Sequence, residues 1–596
     1  MGRLRLGLAV AWTLAAFGAV ASPALADEPK AVVQGVEDST LRRAIQRVVG
    51  LSKRAPQSRF DARRRAEEAA QDAIVVLRSE GYYDYLVTPD VTGDDHPKPV
   101  VRVDPGPRSV LADATVAWGG AAPVPQAQAD AIAAIRLSKG APGRAAEVVA
   151  AEGRIVGALQ SDGYADAIAE PREVVVDHAT RTVAPTFHID AHAQVKLDGL
   201  KVETKGRTNP KWVAHLAPWR PGQVYSPAPV AELERRLLDT GVYNSVTVAL
   251  APEPNADGLR PVIVSLADRP KAAIGLGASY STSEGAGVNA RYSLYNRLGR
   301  ADTITFSGQY ASILKKVDAQ LSLPDWRTPQ TTLQLGATAY QDDTTAYREQ
   351  DAGVRADLEH RYAATSFRTI GISADFIHDN EETLVGDQIV GVKRNLALLT
   401  GLYRLSIDRS DNPLDPTHGW RFDGRIEPTL GTGDGTLAYA KVQAQVSAYL
   451  PLAASGATVV AGRIKLGSIL SGADTVDLPA SRRFYAGGGG SIRGYGYQAV
   501  GPRFPDDTPV GGESLAETSV ELRQKFGGHW GVVAFVDAGT VSAEKYPDFR
   551  TFSAGAGVGV RYDLGFGPLR FDVAVPINRR AGDNPFQIYL SIGQSF

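Results

Sequence analysis

The chain has 596 residues, of which 64 are basic and 66 acidic, for a net charge of −2. A balance so near neutral excludes recruitment to nucleic acid or to anionic lipid by a global field. Cysteine is absent, which excludes a disulfide framework and any thiolate metal site.

Arg3 and Arg5 precede an apolar run over residues 6–20, and Ala24-Leu25-Ala26 follows as a small-x-small cleavage site. The pattern predicts a secretory signal peptide over 1–26, cut before Asp27. An anchoring helix would need about 20 apolar residues, and this run is shorter. Past Asp27 no stretch approaches that length. The mature chain is therefore expected to be either soluble or a barrel.

Up to residue 269 a module recurs. Leu77-Arg78-Ser79-Glu80-Gly81-Tyr82, Leu159-Gln160-Ser161-Asp162-Gly163-Tyr164 and Leu237-Leu238-Asp239-Thr240-Gly241-Val242 each read as a helix end, a glycine stop and the start of a strand. The glycines recur at a spacing of about 80 residues. Apolar stripes at helical spacing precede them, Ala66, Ala69, Ala70, Ala73, Ile74 and Leu77 in the first copy and Val230, Leu233 and Leu237 in the third. Strand-like runs close each copy. The expectation is three tandem α+β modules over 27–104, 105–190 and 191–269, with helices on one sheet face.

From 270 to 596 the period changes to two. Ala440, Val442, Ala444, Val446 and Ala448 alternate with Lys441, Gln443, Gln445 and Ser447. Val558, Val560 and Tyr562 alternate with Gly559 and Arg561, and Phe571, Val573 and Val575 with Arg570 and Asp572. Strands of about ten residues with charges at every second position fit a transmembrane antiparallel β-barrel, apolar toward lipid and polar toward a wet lumen. A soluble sandwich also alternates, but the signal peptide and the strand length favour the barrel. Periodicity alone allows about 12 to 18 strands.

The densest motif is Phe484-Tyr485-Ala486-Gly487-Gly488-Gly489-Gly490-Ser491-Ile492-Arg493-Gly494-Tyr495. Four glycines in a row cannot hold a membrane strand and predict a loop. The spacing matches no phosphate-cradling signature. Histidines 188 and 192 lack the carboxylates or spacing of a metal site, and no nucleophile elbow is present. No enzyme activity, metal or cofactor is expected.

Ser491-Ile492-Arg493-Gly494-Tyr495 resembles the V/I-R-G-F/Y motif of the Omp85 superfamily of outer-membrane assembly and secretion barrels. Asp408-Arg409-Ser410-Asp411-Asn412-Pro413 resembles its D-x-R-D-N-P turn, and Phe535-Val536-Asp537-Ala538-Gly539 its F-x-D-x-G strand. Gly559-Val560-Arg561-Tyr562 with Gly567-Pro568-Leu569-Arg570-Phe571-Asp572 resembles the penultimate hairpin. Residues 588–596 resemble the closing strand and its C-terminal signal, with Leu590, Ile592 and Phe596 expected on one face. The resemblance implies that the modules are POTRA domains and that the TamA branch, with three of them and sixteen barrel strands, is the nearest plan. It implies a lumenal loop whose Arg493 contacts Asp537, with Glu521 as a second acceptor.

The same resemblance implies an assembly factor of the cell outer membrane. It would act on unfolded β-barrel clients, autotransporters among them, by edge pairing on the POTRA domains. An elongated inner-membrane-anchored partner of the TamB kind is implied too. A two-partner-type secretion channel, exporting an unfolded polypeptide through its lumen, is the alternative. Gly275 and Gly277 in the first barrel strand and Gly593 in the last read either as a weak seam for client strands or as curvature points.

Overall fold

A computed structural model describes residues 28–281, 285–385, 388–453, 455–472, 475–565, 567–592, 594 and 596. The expected signal peptide over 1–26 lies outside the described residues. The chain divides into two compact units. One holds the described residues up to Asp198 with Pro221–Ala228 and Pro254–Arg260; the other holds Gly199–Arg220, Pro229–Glu253 and Pro261–Phe596.

In the first unit, strand Lys98–Asp104 pairs in parallel with Val32–Gln34 and antiparallel with Leu86–Thr92. Two helices cover this sheet. Asp38 caps helix Ser39–Val49 and Ser58 caps helix Arg59–Ser79, each accepting backbone N–H groups left over at a helix start. Leu41, Ile45 and Val49 meet Ala69, Ala73 and Leu77 over Val101 and Val103 in one core. The alanine stripe lets the long helix sit close to the sheet. The second sheet is centred on Thr182–Asp190, whose residues alternate between core and surface, with helices Pro125–Ala133 and Ala145–Ser161 above it. Glu80 accepts from Arg108 at 2.8 Å and from Arg144 at 3.1 Å, tying the first helix pair to the second sheet's segment.

The second unit holds most of strands Leu197–Thr204, Arg260–Asp268 and Tyr243–Leu250, in that sheet order, with helix Pro210–Leu216 and most of helix Pro227–Asp239. Asn296, between the second and third barrel strands, donates to the Thr208 hydroxyl at 2.8 Å, and the Asn209 amide donates to the Gly299 carbonyl at 2.8 Å. Sixteen antiparallel strands, from Ala272–Ser281 to Gln587–Ile592, then close a barrel.

The side-chain pattern along the wall decides the solvent. Ile274, Leu276, Val288, Val317, Phe376 and Val558 point outward and are largely exposed, Leu276 at 81%. Glu349, Asp379, Glu381, Glu517, Glu521, Asp537 and Asp572 point inward and are buried. A water-soluble sheet would bury the first set and expose the second. The outer face is therefore a lipid face.

Strand length varies around the wall. Ser366–Val385 and Gln388–Asp408 run 20 and 21 residues, but Gln587–Ile592 only 6. Among the described residues, the last strand meets the first through Tyr280↔Leu590 and Ser281↔Tyr589, whereas Ala272–Ser281 pairs with the second strand over ten positions.

Candidate functional site

Between strands Thr458–Ser471 and Ser514–Lys525 the chain turns back into the lumen. Positive φ angles at Gly487 (106°), Gly488 (98°) and Gly494 (102°) make that path possible. It delivers Arg493, 1% exposed at its side chain, to the inner wall. Arg493 Nε lies 2.7 Å from Asp537 Oδ2 and Nη2 lies 2.9 Å from Oδ1, a two-pronged match of fork to carboxylate. Nη1 reaches Glu521 Oε1 at 2.8 Å and Asp572 Oδ2 at 3.2 Å. The guanidinium stacks on the Phe535 ring 3.4 Å from its centroid, and Ser519 Oγ donates to Asp537 at 2.5 Å. Three carboxylates and an aromatic face thus hold one dry cation.

The neighbouring motif residues secure the backbone around it. Ser491 Oγ donates to Glu517 Oε1 at 2.5 Å, and Ile492 is fully buried. Tyr495 donates its hydroxyl to Asn578 Oδ1 at 2.7 Å, and the Gly494 amide donates to the Tyr589 hydroxyl at 3.1 Å. Tyr589 belongs to the last strand, so the loop grips the seam from inside.

A second anchor stands on another part of the wall. Arg483 reaches Glu381 at 2.7 Å and Arg482 reaches Asp351 at 3.0 Å, and Lys441 donates to the Arg482 carbonyl at 2.9 Å. The loop is strung between two sets of acidic residues. Sequence reasoning missed this anchor, together with Asp572, Phe535 and Tyr589 as partners of the loop. The adjacent Ser481-Arg482-Arg483, opposite inward-facing acids, was its only signal.

The Omp85 superfamily domain matches residues 296–596, just over half of the chain. This chain belongs to the Omp85 superfamily. Outer membrane protein assembly factor BamA of Neorickettsia risticii (strain Illinois) is 24% identical over 70% of this chain and 59% of that protein. BamA of Nitratidesulfovibrio vulgaris is 25% identical over 74% of this chain and 56% of its own length. The chain therefore spans less than two thirds of these relatives. The crystal structure of BamA from Haemophilus ducreyi lacking POTRA domains 1-3 shares the fold, with a TM-score of 0.68 at 20% identity. It covers 81% of this chain and 99% of that one. Like its relatives, this Omp85 chain is an outer-membrane barrel protein with its N-terminal domains in the periplasm.

At the Omp85 seam, Gly275 and Gly277 face the lumen, on the side opposite Ile274 and Leu276. A Cβ at Gly277 would lie 2.6 Å from the Asn289 side chain, so this glycine makes room for its cross-strand neighbour; one at Gly275 would meet nothing nearer than 4.0 Å. Gly593 lies outside the described residues, as does the side chain of Ile592.

The closing segment departs from expectation. Leu590 points to lipid, but Phe596 does not share its face. Its ring turns inward over Arg463 and Arg523, at 5.4 and 5.3 Å. Phe596 lies outside the strand Gln587–Ile592, so the alternation along that strand does not set its face. Farther along the same loop, Arg503 pairs with Asp583 at 2.7 Å.

Two local predictions follow from the geometry. A Cβ at Gly494 would lie 2.8 Å from the Val575 carbonyl, and φ there is positive. Gly494→Ala should strain the loop by about 1–3 kcal/mol and open it to protease added outside. An uncut loop would contradict this.

In the periplasmic turn, burial opposes ionisation of Asp411. Hydrogen bonds from the Thr417 hydroxyl and from the Thr417 and His418 amides outweigh it and bring the carboxyl down to about 2. Because the folded value is depressed, the stabilisation is complete above the ordinary carboxylate range and disappears as pH falls through about 2. Carbon-13 NMR titration of Asp411 should find that midpoint, and an ordinary one would refute the assignment.

Proposed function

We propose that this chain is an outer-membrane assembly factor that inserts β-barrel clients, autotransporters among them, through the seam between its first and last strands. The observation that carries the reading is that, among the described residues, only two pairs join the strands across that seam. Unpaired backbone groups are costly in lipid, so a short ladder is the cheapest place for a client strand to add by β-augmentation. Tyr589 and the turned-in tail hold the last strand from the lumen, which leaves the Ala272–Ser281 edge largely available. The role of Arg493, with Asp537, Glu521 and Asp572, is to fix the loop behind this strand.

The repeat over 27–104, 105–190 and 191–269 supports a POTRA array, and with it the TamA plan and a TamB-like inner-membrane-anchored partner. The matched relatives are named as assembly factors, which supports the coarser role. A secretion channel would need a clear lumen, and here the glycine loop and the tail both lie in it.

The test is photo-crosslinking from position 275 during client insertion, in membranes that contain an autotransporter barrel. Capture of the client's closing strand is expected. Capture of a translocating, non-barrel segment inside the lumen would replace this reading with the channel.

A further inference from the structure

Phe596 and Gln594 are seated in a built recess at the periplasmic end of the lumen. Tyr449, Val459 and Ala461 form its buried apolar wall, and Phe596 packs on them. Arg463 and Arg523 lie over the Phe596 ring, and Arg523 also donates to the Phe596 carbonyl at 3.3 Å. Gln594 is tethered on three sides. Its amide donates to the Leu414 carbonyl at 3.2 Å, its Nε2 donates to Asp415 Oδ1 at 2.9 Å, and its Oε1 accepts from Arg561 at 3.1 Å.

We propose that this recess is a binding site for an aromatic residue of an incoming polypeptide segment, and that Phe596 is its resident, exchangeable occupant. Two cations facing one ring select an aromatic side chain over an aliphatic one of equal size. The resident does not use the full capacity of the site. Among the described residues, Arg463 Nε and Arg523 Nη1 are buried without a hydrogen-bond partner. A segment that adds backbone carbonyls beside its ring would satisfy donors that Phe596 leaves idle. Phe596 lies outside the strand Gln587–Ile592, so its release leaves that strand's pairing with Pro568–Pro576 in place.

Occupancy can be sensed at the loop. Arg523 Nη2 lies 2.8 Å from Glu521 Oε2, whose other oxygen lies 2.8 Å from Arg493. Arg463 donates to the Gly490 and Ser491 carbonyls at 2.9 and 3.1 Å. The two arginines that hold the aromatic ring therefore also touch the loop or its anchor.

The identity of the polypeptide as a client rests on the assembly reading above; the recess itself does not. The test uses the full chain in lipid nanodiscs and a fluorescent peptide of residues 589–596, capped at both ends, with its Phe596→Ala form as control. Phe596→Ala protein should bind the aromatic peptide at least about tenfold more tightly than the unaltered chain, because the competing resident is gone. The control peptide should show no gain. Adding Tyr449→Ala should abolish the gain. If Phe596→Ala does not form a heat-resistant barrel, Gln594→Ala with Asp415→Ala cuts the tether and should give the same ordering. Equal binding by tethered and untethered proteins, or by the two peptides, overturns the site. Because no client is inserted in this measurement, failure of the assembly reading would leave its result untouched.

Discussion

Arg493→Ala should lower the unfolding free energy of the lipid-embedded barrel by roughly 3–5 kcal/mol, the usual consequence of removing one partner from a buried ion pair. Three carboxylates, Asp537, Glu521 and Asp572, would face each other without their shared cation. Arg493→Lys should recover little of the loss. An ammonium cannot make the two-pronged contact with Asp537 or lie flat on Phe535. Asp537→Asn should be milder, since Glu521 and Asp572 remain, and the double variant should fall well short of the sum. Denaturant unfolding measures all four proteins. A shift within about 0.5 kcal/mol for Arg493→Ala, the range of an ordinary surface change, would show that the loop stands without its arginine.

A disulfide across the seam should block client insertion while sparing the barrel. The chain has no cysteine of its own, so an engineered pair is unambiguous. Tyr280 and Leu590 are opposite one another in register, and Leu590 faces lipid, away from the loop. Directly opposed residues place their Cβ atoms about 4.5–5.5 Å apart, close enough for a bridge with small backbone adjustment. Under oxidation, Tyr280→Cys with Leu590→Cys should cut insertion of a client barrel by at least about tenfold, a barrier change of roughly 1.4 kcal/mol. Reductant should restore it. The neighbouring pair Ser281 and Tyr589 is unsuitable, because Tyr589 accepts from the Gly494 amide. Full insertion through a bridged seam would sink the gating proposal.

The alternation of apolar and polar residues was enough to read a barrel from residue 270 onward, because in a strand each side chain's face depends only on its neighbours two positions away. The four glycines announced a loop for the same local reason. Family resemblance supplied Arg493 with Asp537 and Glu521. It did not supply Asp572, 79 residues from Arg493, nor the stacking of Phe535. Those contacts depend on how strands are staggered around a closed wall, and stagger is a property of the whole ring. The anchor of Arg482 and Arg483 on Asp351 and Glu381 was hidden in the same way. It joins residues more than a hundred positions apart. Phe596 makes the point most clearly. Its place in the alternation put it with Leu590 toward lipid, and the pattern was sound as far as the ladder extends. Phe596 itself lies outside the strand Gln587–Ile592, and Arg463 and Arg523, brought together only by closure, hold its ring inside. Local periodicity thus determined which face a strand residue takes, while closure and register decided which inward residues meet and where the strand ends.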